Sequence, residues 1–344
     1  MDHADAVAPD RGNHDMLFHR VKFYRMGACQ GVCRALKVAI FPVEWFSMFS
    51  GSLVAIVTPL TADGALDLPG WDRLLDFHLA EGTDGIVVAG TTGESPVLSL
   101  DEIEELTRRA VARCRGKLKI IVGAGTNSTA ATVARSARLS RLGVDGVMFV
   151  TPYYNKPPQE GLFRHFTAAA DASAAPVILY NVPGRTGVDL LPATVGRLAR
   201  HPRIVALKEA TPLVSRARDL MSAVPAEFSV LSGDDATAID FIEAGAKGVI
   251  SVSANVAPRR MREACVAAMG GDLATARAID AELRGLHRDL FVEANPIPVK
   301  WAVARMGFIG GAIRLPLVDL APVHQETVLR AMRAAGVKLE EKAA

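Results

Sequence analysis

Short apolar runs alternate with longer amphipathic stretches along the chain from Leu53 onward. The runs are rich in β-branched residues, and their starts recur at intervals of about 20 to 35 residues, the size of a strand–helix unit. Continuous apolar runs of this length are typical of strands buried on both faces of a parallel sheet. We therefore predict eight strands, at Leu53–Val57, Gly85–Ala89, Lys119–Val122, Gly146–Val150, Val177–Tyr180, Ile204–Leu207, Phe228–Leu231 and Gly248–Val252.

The stretches between these runs have the periodicity of helices. The pattern predicts a helix over Asp101–Cys114 with one apolar face, formed by Ile103, Leu106, Ala110 and Cys114. Ser99 and Glu102 have the spacing of a capping box before this helix. Eight strands with helices between them indicate an α/β protein of the closed (β/α)8 TIM barrel type, which needs about 250 residues.

An open, doubly wound parallel sheet is the alternative architecture. It is disfavoured because no G-x-G-x-x-G turn follows the first predicted strand, and the Gly123–Gly125 pair lacks the third glycine. We expect the barrel to occupy residues 48–257. Residues 258–344, rich in alanine and arginine, are predicted to form additional C-terminal helices that complete the barrel and pack on it.

Residues 1–47 differ from the rest of the chain. Residues 2–15 are polar and acidic, basic residues without acidic neighbours follow from Arg20 to Lys37, and no regular periodicity is sustained. A targeting peptide is one interpretation, but the acidic start is unlike the acid-poor composition of such peptides. We favour an unstructured or non-native leader, with Met48 as the natural beginning.

Composition narrows the class of protein. Half of the 344 residues are hydrophobic and 22% are charged, which allows a large buried core and excludes disorder of the whole chain. The 39 basic and 37 acidic residues nearly cancel, and no basic block is interleaved with aromatic residues, so no nucleic-acid partner is expected. Pro42 and Glu44 interrupt the apolar stretch Val38–Pro59, so we predict no membrane span and a soluble protein.

The four cysteines show neither a disulfide framework nor metal-ligand spacing. Cys29 and Cys33 form a C-x3-C pair, but no second pair of Cys or His residues lies nearby. We therefore expect no metal site and a reducing, cytoplasmic location.

Lys208 is the sharpest candidate for chemistry, since a barrel builds its active site at the carboxyl ends of its strands. It ends an apolar run, and strand alternation predicts that it shares a face with Ile204 and Ala206. Burial disfavours a charged ammonium, so a lysine at such a place can supply a free amine that attacks a carbonyl. The alternative is a lysine whose charge is merely paired with a carboxylate such as Glu209 or Asp234.

Hydroxyl groups at neighbouring strand ends are candidates to complete such a site. Tyr180 ends the fifth predicted strand, and a phenol there can shuttle protons while a Schiff base forms. Thr91 and Tyr154 lie at the same predicted rim and are candidates to relay the proton. The alternative for any one tyrosine is a half-buried core residue, but three of the four tyrosines lie in predicted catalytic loops.

Two segments are candidates for binding carboxylates. Thr91 and Thr92 lie between glycines, where backbone N–H groups and hydroxyls can hold a small carboxylate. The alternative there is an ordinary strand-to-helix turn, with Ser95 or Ser99 as a cap. Arg185, flanked by glycines, can clamp a second carboxylate bidentately, against the alternative of a solvated loop arginine.

Seven segments taken together resemble the dihydrodipicolinate synthase and N-acetylneuraminate lyase superfamily, and the synthase branch closely. They occur in the order typical of the family and cover the chain from Met48 to its C-terminus, leaving the leader unmatched. The segments are GTTGES (Gly90–Ser95), TPYYNKP (Thr151–Pro157), YNVPGRTG (Tyr180–Gly187), ALKEAT (Ala206–Thr211), SGDD (Ser232–Asp235), GVISVSANVAP (Gly248–Pro258) and NPIPVKWA (Asn295–Ala302).

This resemblance implies a role for each candidate residue. It implies that Lys208 forms the Schiff base, that Tyr180 is the main acid and base, and that Thr91 and Tyr154 complete the proton relay. In the family, the tyrosine at the position of Tyr154 reaches across a tight dimer interface, and two dimers commonly form a homotetramer. The resemblance implies that the remaining candidates bind substrate: Thr92, Arg185, Gly233 and the backbone at Ile250.

The resemblance also implies the reaction, the condensation of pyruvate with L-aspartate 4-semialdehyde to 4-hydroxy-tetrahydrodipicolinate, which enters the diaminopimelate route to lysine. Arg185 matches the arginine that meets the carboxylate of the semialdehyde. No metal or organic cofactor is implied, because the protonated imine is the electron sink. The alternatives are another class I pyruvate aldolase or dehydratase acting on a sugar acid, and an inactive barrel that serves as a scaffold.

One departure from the family pattern concerns regulation. Lysine-inhibited members carry histidines in the helix after the TTGE turn and a glutamate in the helix after the third strand. The corresponding residues here are Leu100, Ile103 and Ala131, although Asn127 and Tyr153 remain. Without the glutamate the ammonium group of lysine loses a charge partner, so we predict weak or absent inhibition by lysine.

Overall fold

The computed structural model describes residues 49–340. Eight parallel strands form a closed barrel in which each strand pairs with the next along the chain and the eighth pairs with the first. The predicted (β/α)8 barrel is therefore confirmed, and the open-sheet alternative is wrong. The strands are β1 (Gly51–Ala55), β2 (Gly85–Val88), β3 (Lys119–Gly123), β4 (Gly146–Val150), β5 (Val177–Asn181), β6 (Ile204–Glu209), β7 (Ser229–Ser232) and β8 (Gly248–Ser251).

Helices follow every strand and cover the outside of the barrel. Short 3-10 helices at Ser95–Val97 and Ser253–Asn255 come before α2 and α9. The helices are α1 (Leu68–Glu81), α2 (Leu100–Cys114), α3 (Thr129–Leu139), α4 (Gln159–Asp171), α5 (Pro183–Thr186), α6 (Pro192–Leu198), α7 (Val214–Ala223), α8 (Ala238–Glu243), α9 (Pro258–Met269), α10 (Leu273–Asp289), α11 (Ile297–Arg305) and α12 (Pro322–Ala334).

The pattern-based prediction of α2 is confirmed. Its predicted apolar face is buried, and Thr107 joins that face with its hydroxyl donating to the Ile103 carbonyl at 2.6 Å. The capping box is present as well, because the Ser99 hydroxyl accepts from the Glu102 N–H at 3.2 Å and the Ser99 N–H donates to the Glu102 carboxylate at 2.8 Å. Local sequence therefore determines both the start and the buried side of this helix.

The predicted face of β6 needs one correction. A β-bulge shifts the register, so that Ile204 pairs with Val177 while Ala206 pairs with Ile178. Ala206 belongs to the apolar cluster inside the barrel, but Ile204 belongs to the cluster between the barrel and its helices. The prediction that Ile204 shares a face with Lys208 is wrong, because the bulge breaks the strand alternation before Ala206.

Lys208 and Glu209 lie at the end of β6, as the sequence predicts. The strand continues two residues beyond its apolar run, and Lys208 and Glu209 pair with both β5 and β7. Backbone pairing does not require apolar side chains, so the run of apolar residues underestimates the length of the strand. Lys208 consequently lies within a strand, where its backbone is held on both sides.

The C-terminal helices continue the barrel and then cover it. α9 packs against β1 and α8 and so completes the last strand–helix unit, while α10 packs on α9 and α12. The boundary at residue 257 stays a prediction, and the leader of residues 1–47 with Cys29 and Cys33 lies outside the described residues. Among residues 49–340 no helix combines the length and the apolar character needed to cross a membrane.

The barrel closes where β1 and β8 meet, and glycine makes this contact possible. The two strands pair over four positions, from Gly51 with Gly248 to Val54 with Ser251. Gly248 has a φ of +144°, and a Cβ atom there would lie 2.0 Å from the carbonyl oxygen of Gly51. Only glycine allows two backbones to approach this closely.

We expect Gly248→Ala to destabilise the barrel, because the added methyl group forces β1 and β8 apart. The free energy of unfolding should fall by about 2 kcal/mol or more, the scale of backbone strain combined with overpacking. Gly310→Ala is the matched control, since a Cβ at Gly310 meets no atom within 4 Å, and its stability should stay within about 0.5 kcal/mol of the unchanged protein. Urea denaturation measures the free energy of unfolding of both variants. Equal values would contradict the role of glycine where β1 and β8 meet.

Candidate active site

Lys208 and Tyr180 lie side by side at the carboxyl end of the barrel. The pairing of β5 with β6 places the two residues opposite each other. The Nζ atom of Lys208 lies 4.5 Å from the centre of the Tyr180 ring. Both residues are buried, with exposed fractions of 5% and 6%. A candidate nucleophile and a candidate proton donor are therefore neighbours in a site largely shielded from solvent.

Gly233 makes room for the Lys208 side chain. A Cβ atom at Gly233 would lie 2.9 Å from Cε and 3.0 Å from Cγ of Lys208. The Gly233 N–H donates to the Glu209 carbonyl at 2.6 Å, which holds the end of β7 against β6. This predicted substrate-binding residue thus lies directly against the lysine, and any larger residue would displace it.

Lys208 has no carboxylate partner within residues 49–340. The Glu209 carboxylate accepts hydrogen bonds from the Asn181 side chain at 3.0 Å and from the Thr211 N–H at 2.8 Å. Asp234 accepts hydrogen bonds within its own loop. The alternative interpretation of Lys208, a lysine paired with one of these carboxylates, does not match this structure.

Asn181 and Glu209 hold the register that brings Tyr180 to Lys208. The two residues are buried, follow Tyr180 and Lys208 in their strands, and pair across β5 and β6. The Asn181 amide also donates to Asp189 at 2.8 Å. Burial raises the pKa of Glu209, and the hydrogen bonds that its carboxylate accepts oppose this rise. Slipping the two strands by one residue would break this buried bond, so one register is favoured.

The loop after β2 is a tight turn that presents Thr91 and Thr92. The N–H groups of Gly93 and Glu94 donate to the carbonyl oxygens of Gly90 and Thr91, both at 3.1 Å. Glu94 has a φ of +57°, in the left-handed region that costs free energy for a residue other than glycine. Thr91 is half-buried and Thr92 is buried. The turn is therefore strained and must be held by contacts elsewhere.

A buried ion pair supplies that hold by fastening the turn to α11. The Glu94 carboxylate contacts the ammonium group of Lys300, and each side chain is 1% exposed. The second oxygen of Glu94 accepts a hydrogen bond from the Arg314 N–H at 3.1 Å. Burial lowers the pKa of Lys300, and the Glu94 carboxylate acts in the opposite direction. Since a buried charge without its partner is strongly destabilising, the turn and α11 keep each other in place.

Asn295 connects the two predicted carboxylate-binding residues. Its side-chain amide donates to the Thr92 hydroxyl oxygen at 3.0 Å, and its backbone carbonyl accepts from Nη2 of Arg185 at 3.1 Å. Asn295 is buried, whereas Arg185 is exposed on the rim. The Oδ1 atom of Asn295 is buried and has no hydrogen-bond partner among the described residues. The positions of Thr92 and Arg185 are therefore linked through one buried residue.

The candidate proton-relay residues are only partly assembled. Thr91 and Tyr180 line the same small cavity, and Ile250 lies in the buried cluster that contains Tyr180. Tyr154 has a φ of +74° and is 88% exposed, and its hydroxyl forms no hydrogen bond within residues 49–340. The structure thus leaves Tyr154 apart from the residues that it brings together, which are Lys208, Tyr180, Thr91, Gly233 and Ile250.

Asn295, Lys300 and Glu94 shape the site but had no predicted role. Asn295 and Lys300 belong to the NPIPVKWA segment, which supported the resemblance without any assignment of function to its residues. Lys300 and Glu94 are 206 positions apart, so no local pattern connects them. The one available signal was a lysine among the apolar residues of the NPIPVKWA segment, because a lysine is rarely buried without a partner.

The arrangement suits covalent chemistry on a small carbonyl compound. Lys208 can act as a nucleophile, and Tyr180 can supply and remove protons. The turn at Thr91 and Thr92 offers hydrogen-bond donors to a carboxylate. Within the part of the chain that the structure describes, no group of three or more His, Cys, Asp or Glu side chains is placed to hold a metal ion.

Solved structures of similar fold include two dihydrodipicolinate synthases. The crystal structure of dihydrodipicolinate synthase from Aquifex aeolicus has a TM-score of 0.83 at 41% identity, covering 85% of this chain and 100% of that one. The dihydrodipicolinate synthase of Thermotoga maritima has a TM-score of 0.82 at 43% identity, covering 84% of this chain and 99% of that one.

Relatives of higher identity carry the same activity in their names. The 4-hydroxy-tetrahydrodipicolinate synthases of Methylococcus capsulatus and Nitrosomonas eutropha are 54% and 55% identical over 290 residues. These matches cover 84% of this chain and 100% and 99% of the two relatives. The family model described as Dihydrodipicolinate synthetase family matches residues 48–335. This chain therefore belongs to the dihydrodipicolinate synthetase family.

Proposed function

We propose that this protein condenses pyruvate with L-aspartate 4-semialdehyde to 4-hydroxy-tetrahydrodipicolinate, in lysine biosynthesis through diaminopimelate. The observation that carries the proposal is the contact of the Lys208 amine with Tyr180, 4.5 Å from Nζ to the ring centre, in a barrel of this family. The relatives from Methylococcus and Nitrosomonas are named for this activity. An inactive scaffold would have no need of a buried lysine without a charge partner.

Lys208 starts the reaction by attacking C2 of pyruvate. The amine adds to the ketone, and loss of water from the carbinolamine gives a protonated imine. Tyr180, beside the Lys208 nitrogen, supplies and removes the protons of these steps. The Thr91 hydroxyl, which lines a cavity with Tyr180, relays them onward. Thr92 and the backbone at Ile250 hold the pyruvate carboxylate.

The imine then acts as an electron sink for formation of a carbon–carbon bond. Loss of a proton from C3 gives an enamine, and its C3 attacks the aldehyde carbon of the second substrate. The amino group of that substrate next attacks C2, which closes the ring and releases the Lys208 amine. Gly233 keeps space open beside Lys208 during this exchange, because a side chain there would occupy the position of Cε and Cγ.

Arg185 is proposed to select the second substrate. Its guanidinium is anchored to the Asn295 carbonyl at 3.1 Å and stays exposed on the rim, where it can bind a carboxylate through two parallel hydrogen bonds. An amino-acid aldehyde presents such a carboxylate at the required end. This arrangement favours the semialdehyde, whose carboxylate is additional to that of pyruvate, over a sugar acid whose single carboxylate belongs to its pyruvate half.

Tyr154 is proposed to complete the proton relay of a second copy of the chain. Its side chain is 88% exposed, and tyrosine is a residue type enriched at protein interfaces. We propose a tight dimer in which each subunit contributes its Tyr154 to the proton relay of the other. Two such dimers are proposed to form a homotetramer. We place the protein in the cytoplasm, a location supported by the free, buried Cys114 and Cys265.

Reduction with borohydride in the presence of pyruvate tests the role of Lys208. The peptide that contains Lys208 should gain the mass of pyruvate less one oxygen atom, because borohydride reduces the imine to a stable amine. Lys208→Ala should gain nothing and should lose at least about 10³-fold in kcat/KM, as expected for removal of a covalent nucleophile. Lys117→Ala, at an exposed lysine, is the control and should label normally. An adduct on another lysine would refute the assignment.

Arg185→Ala tests the choice of the second substrate. The KM for aspartate semialdehyde should rise about tenfold or more, the effect of losing a charge-assisted hydrogen bond, while imine formation with pyruvate stays unchanged. Arg185→Lys keeps the charge but cannot form two parallel hydrogen bonds to a carboxylate. Its KM for the semialdehyde should therefore lie between those of the unchanged protein and Arg185→Ala. Arg164→Ala, which removes an exposed arginine paired with Glu160, is the control. An unchanged KM of Arg185→Ala for the semialdehyde would overturn the assignment. Activity of this variant on a sugar acid as substrate would overturn it as well.

Lysine should inhibit the enzyme weakly or not at all. Ile103 is fully buried in the core and Ala131 carries only a methyl group, so neither residue can bind the ammonium groups of an effector. Initial rates should therefore change little or not at all in millimolar lysine, with the same concentration of ornithine as a control for ionic effects. A micromolar inhibition constant for lysine would contradict this expectation.

A further inference from the structure

The last strand of the barrel is paired unequally with its two neighbours. β8 pairs with β1 over four positions, but with β7 at one position only, Ser232 with Val249. Every other pair of neighbouring strands shares three to five positions. Because main-chain hydrogen bonds between strands hold each strand in place, the carboxyl end of β8 needs another support on the side of β7.

A buried carboxylate from the loop after β7 supplies this support. The Oδ2 atom of Asp235 accepts hydrogen bonds from the N–H groups of Val252 and Ser253, both at 2.9 Å. Asp235 is 2% exposed, and its Oδ1 atom has no hydrogen-bond partner among the described residues. Hydrogen bonds to a charged acceptor are stronger than those between neutral groups. The Asp235 side chain therefore takes the place of the main-chain bonds that β7 does not form with β8.

Two further contacts hold the same segment from other directions. The Ser253 hydroxyl forms a hydrogen bond of 2.9 Å with Nδ1 of His287 in α10. The Asn255 side chain accepts from the Val57 N–H at 3.0 Å and donates to the Ala55 carbonyl at 2.9 Å, where β1 ends. These contacts come from α10 and β1, so within residues 49–340 the support on the side of β7 depends on Asp235.

We propose that Asp235 is a positioning residue for pyruvate, because it fixes the end of β8 at which the backbone of Ile250 holds the pyruvate carboxylate. This inference rests on the proposed function. Ile250 lies two residues before Val252 and belongs to the buried cluster inside the barrel that contains Tyr180. Asp235 is buried and bonded to the main chain, so it acts through the backbone and does not touch the substrate.

Loss of this support weakens the binding of pyruvate more than the steps that follow. When the N–H groups of Val252 and Ser253 have no acceptor, the end of β8 can adopt other arrangements, and only the fraction in the original arrangement binds pyruvate well. Saturating pyruvate restores that arrangement, so the KM for pyruvate rises more than kcat falls. A purely structural role would instead reduce the amount of folded enzyme, which lowers the measured kcat without changing KM.

Hydrogen exchange of the full chain, measured by mass spectrometry, tests the support without catalysis. In Asp235→Ala, the peptide that covers residues 248–256 should exchange faster than in the unchanged protein. Asp145→Ala is the matched control, because Asp145 precedes β4 at the amino end of the barrel and its carboxylate accepts from the Ile120 N–H at 2.9 Å. The control should exchange faster around Ile120 and normally over residues 248–256. Unchanged exchange of this peptide in Asp235→Ala overturns the proposal.

Trapping of the imine with borohydride at a series of pyruvate concentrations measures pyruvate binding without the second substrate. The half-saturating concentration should be about tenfold higher in Asp235→Ala, the effect of leaving buried N–H groups unpaired. Asp235→Asn keeps one acceptor oxygen without the charge, so it should fold even if the alanine variant does not, and its value should be intermediate. Asp145→Ala should match the unchanged protein. In steady-state assays the KM for pyruvate should follow the same order, and the KM for the semialdehyde should stay unchanged.

Two results of these assays contradict the inference and leave the proposed function standing. Equal half-saturating concentrations in Asp235→Ala and Asp145→Ala would show that Asp235 has no particular role in pyruvate binding. A rise in the KM for the semialdehyde alone would show that Asp235 serves the second substrate. An unchanged protein that forms no imine refutes the proposed function and the role in pyruvate binding, whereas the exchange measurement still decides whether Asp235 holds β8.

Discussion

Closure of the sheet between β1 and β8 is the constraint on which the remaining architecture depends. Once eight parallel strands form a ring, their carboxyl ends meet at one rim, and loops far apart in sequence become neighbours. The close approach of Gly51 and Gly248 permits this ring and leaves no space for a methyl group at the seam. Lys208, Tyr180 and the turn at Thr91 owe their proximity to the ring rather than to contacts between their loops.

Buried polar contacts then fix the positions of the residues at the carboxyl end of the barrel more tightly than closure of the sheet alone. The Glu94–Lys300 pair restrains the strained turn after β2, and the Asn181–Glu209 hydrogen bonds restrain the register of β5 against β6. Neither pair is proposed to touch the substrate. If one partner of either pair were missing, the other would be an unpaired polar or charged group in the interior, which destabilises the fold. Each pair therefore favours a single arrangement of the groups beside it.

Local pattern was sufficient for what depends on neighbouring residues, such as the eight strands and the capping box of α2. The predicted orientation of Ile204 was wrong, because the bulge results from the fit of β6 to β5. A short apolar run contains no residue pattern that would indicate such a bulge. Whether Lys208 is paired could not follow from sequence, since several carboxylates lie near it along the chain. Lys300 was missed because its partner is 206 positions away.

Asn295 joins Thr92 and Arg185 through opposite ends, its side-chain amide on one and its backbone carbonyl on the other. The two proposed carboxylate-binding residues are therefore coupled through one buried residue. Replacing Arg185 would leave the Asn295 carbonyl without this hydrogen-bond donor, and the same residue holds the Thr92 hydroxyl. The effects of substitutions at Arg185 and Thr92 are therefore expected to be non-additive, although the two side chains do not contact each other directly.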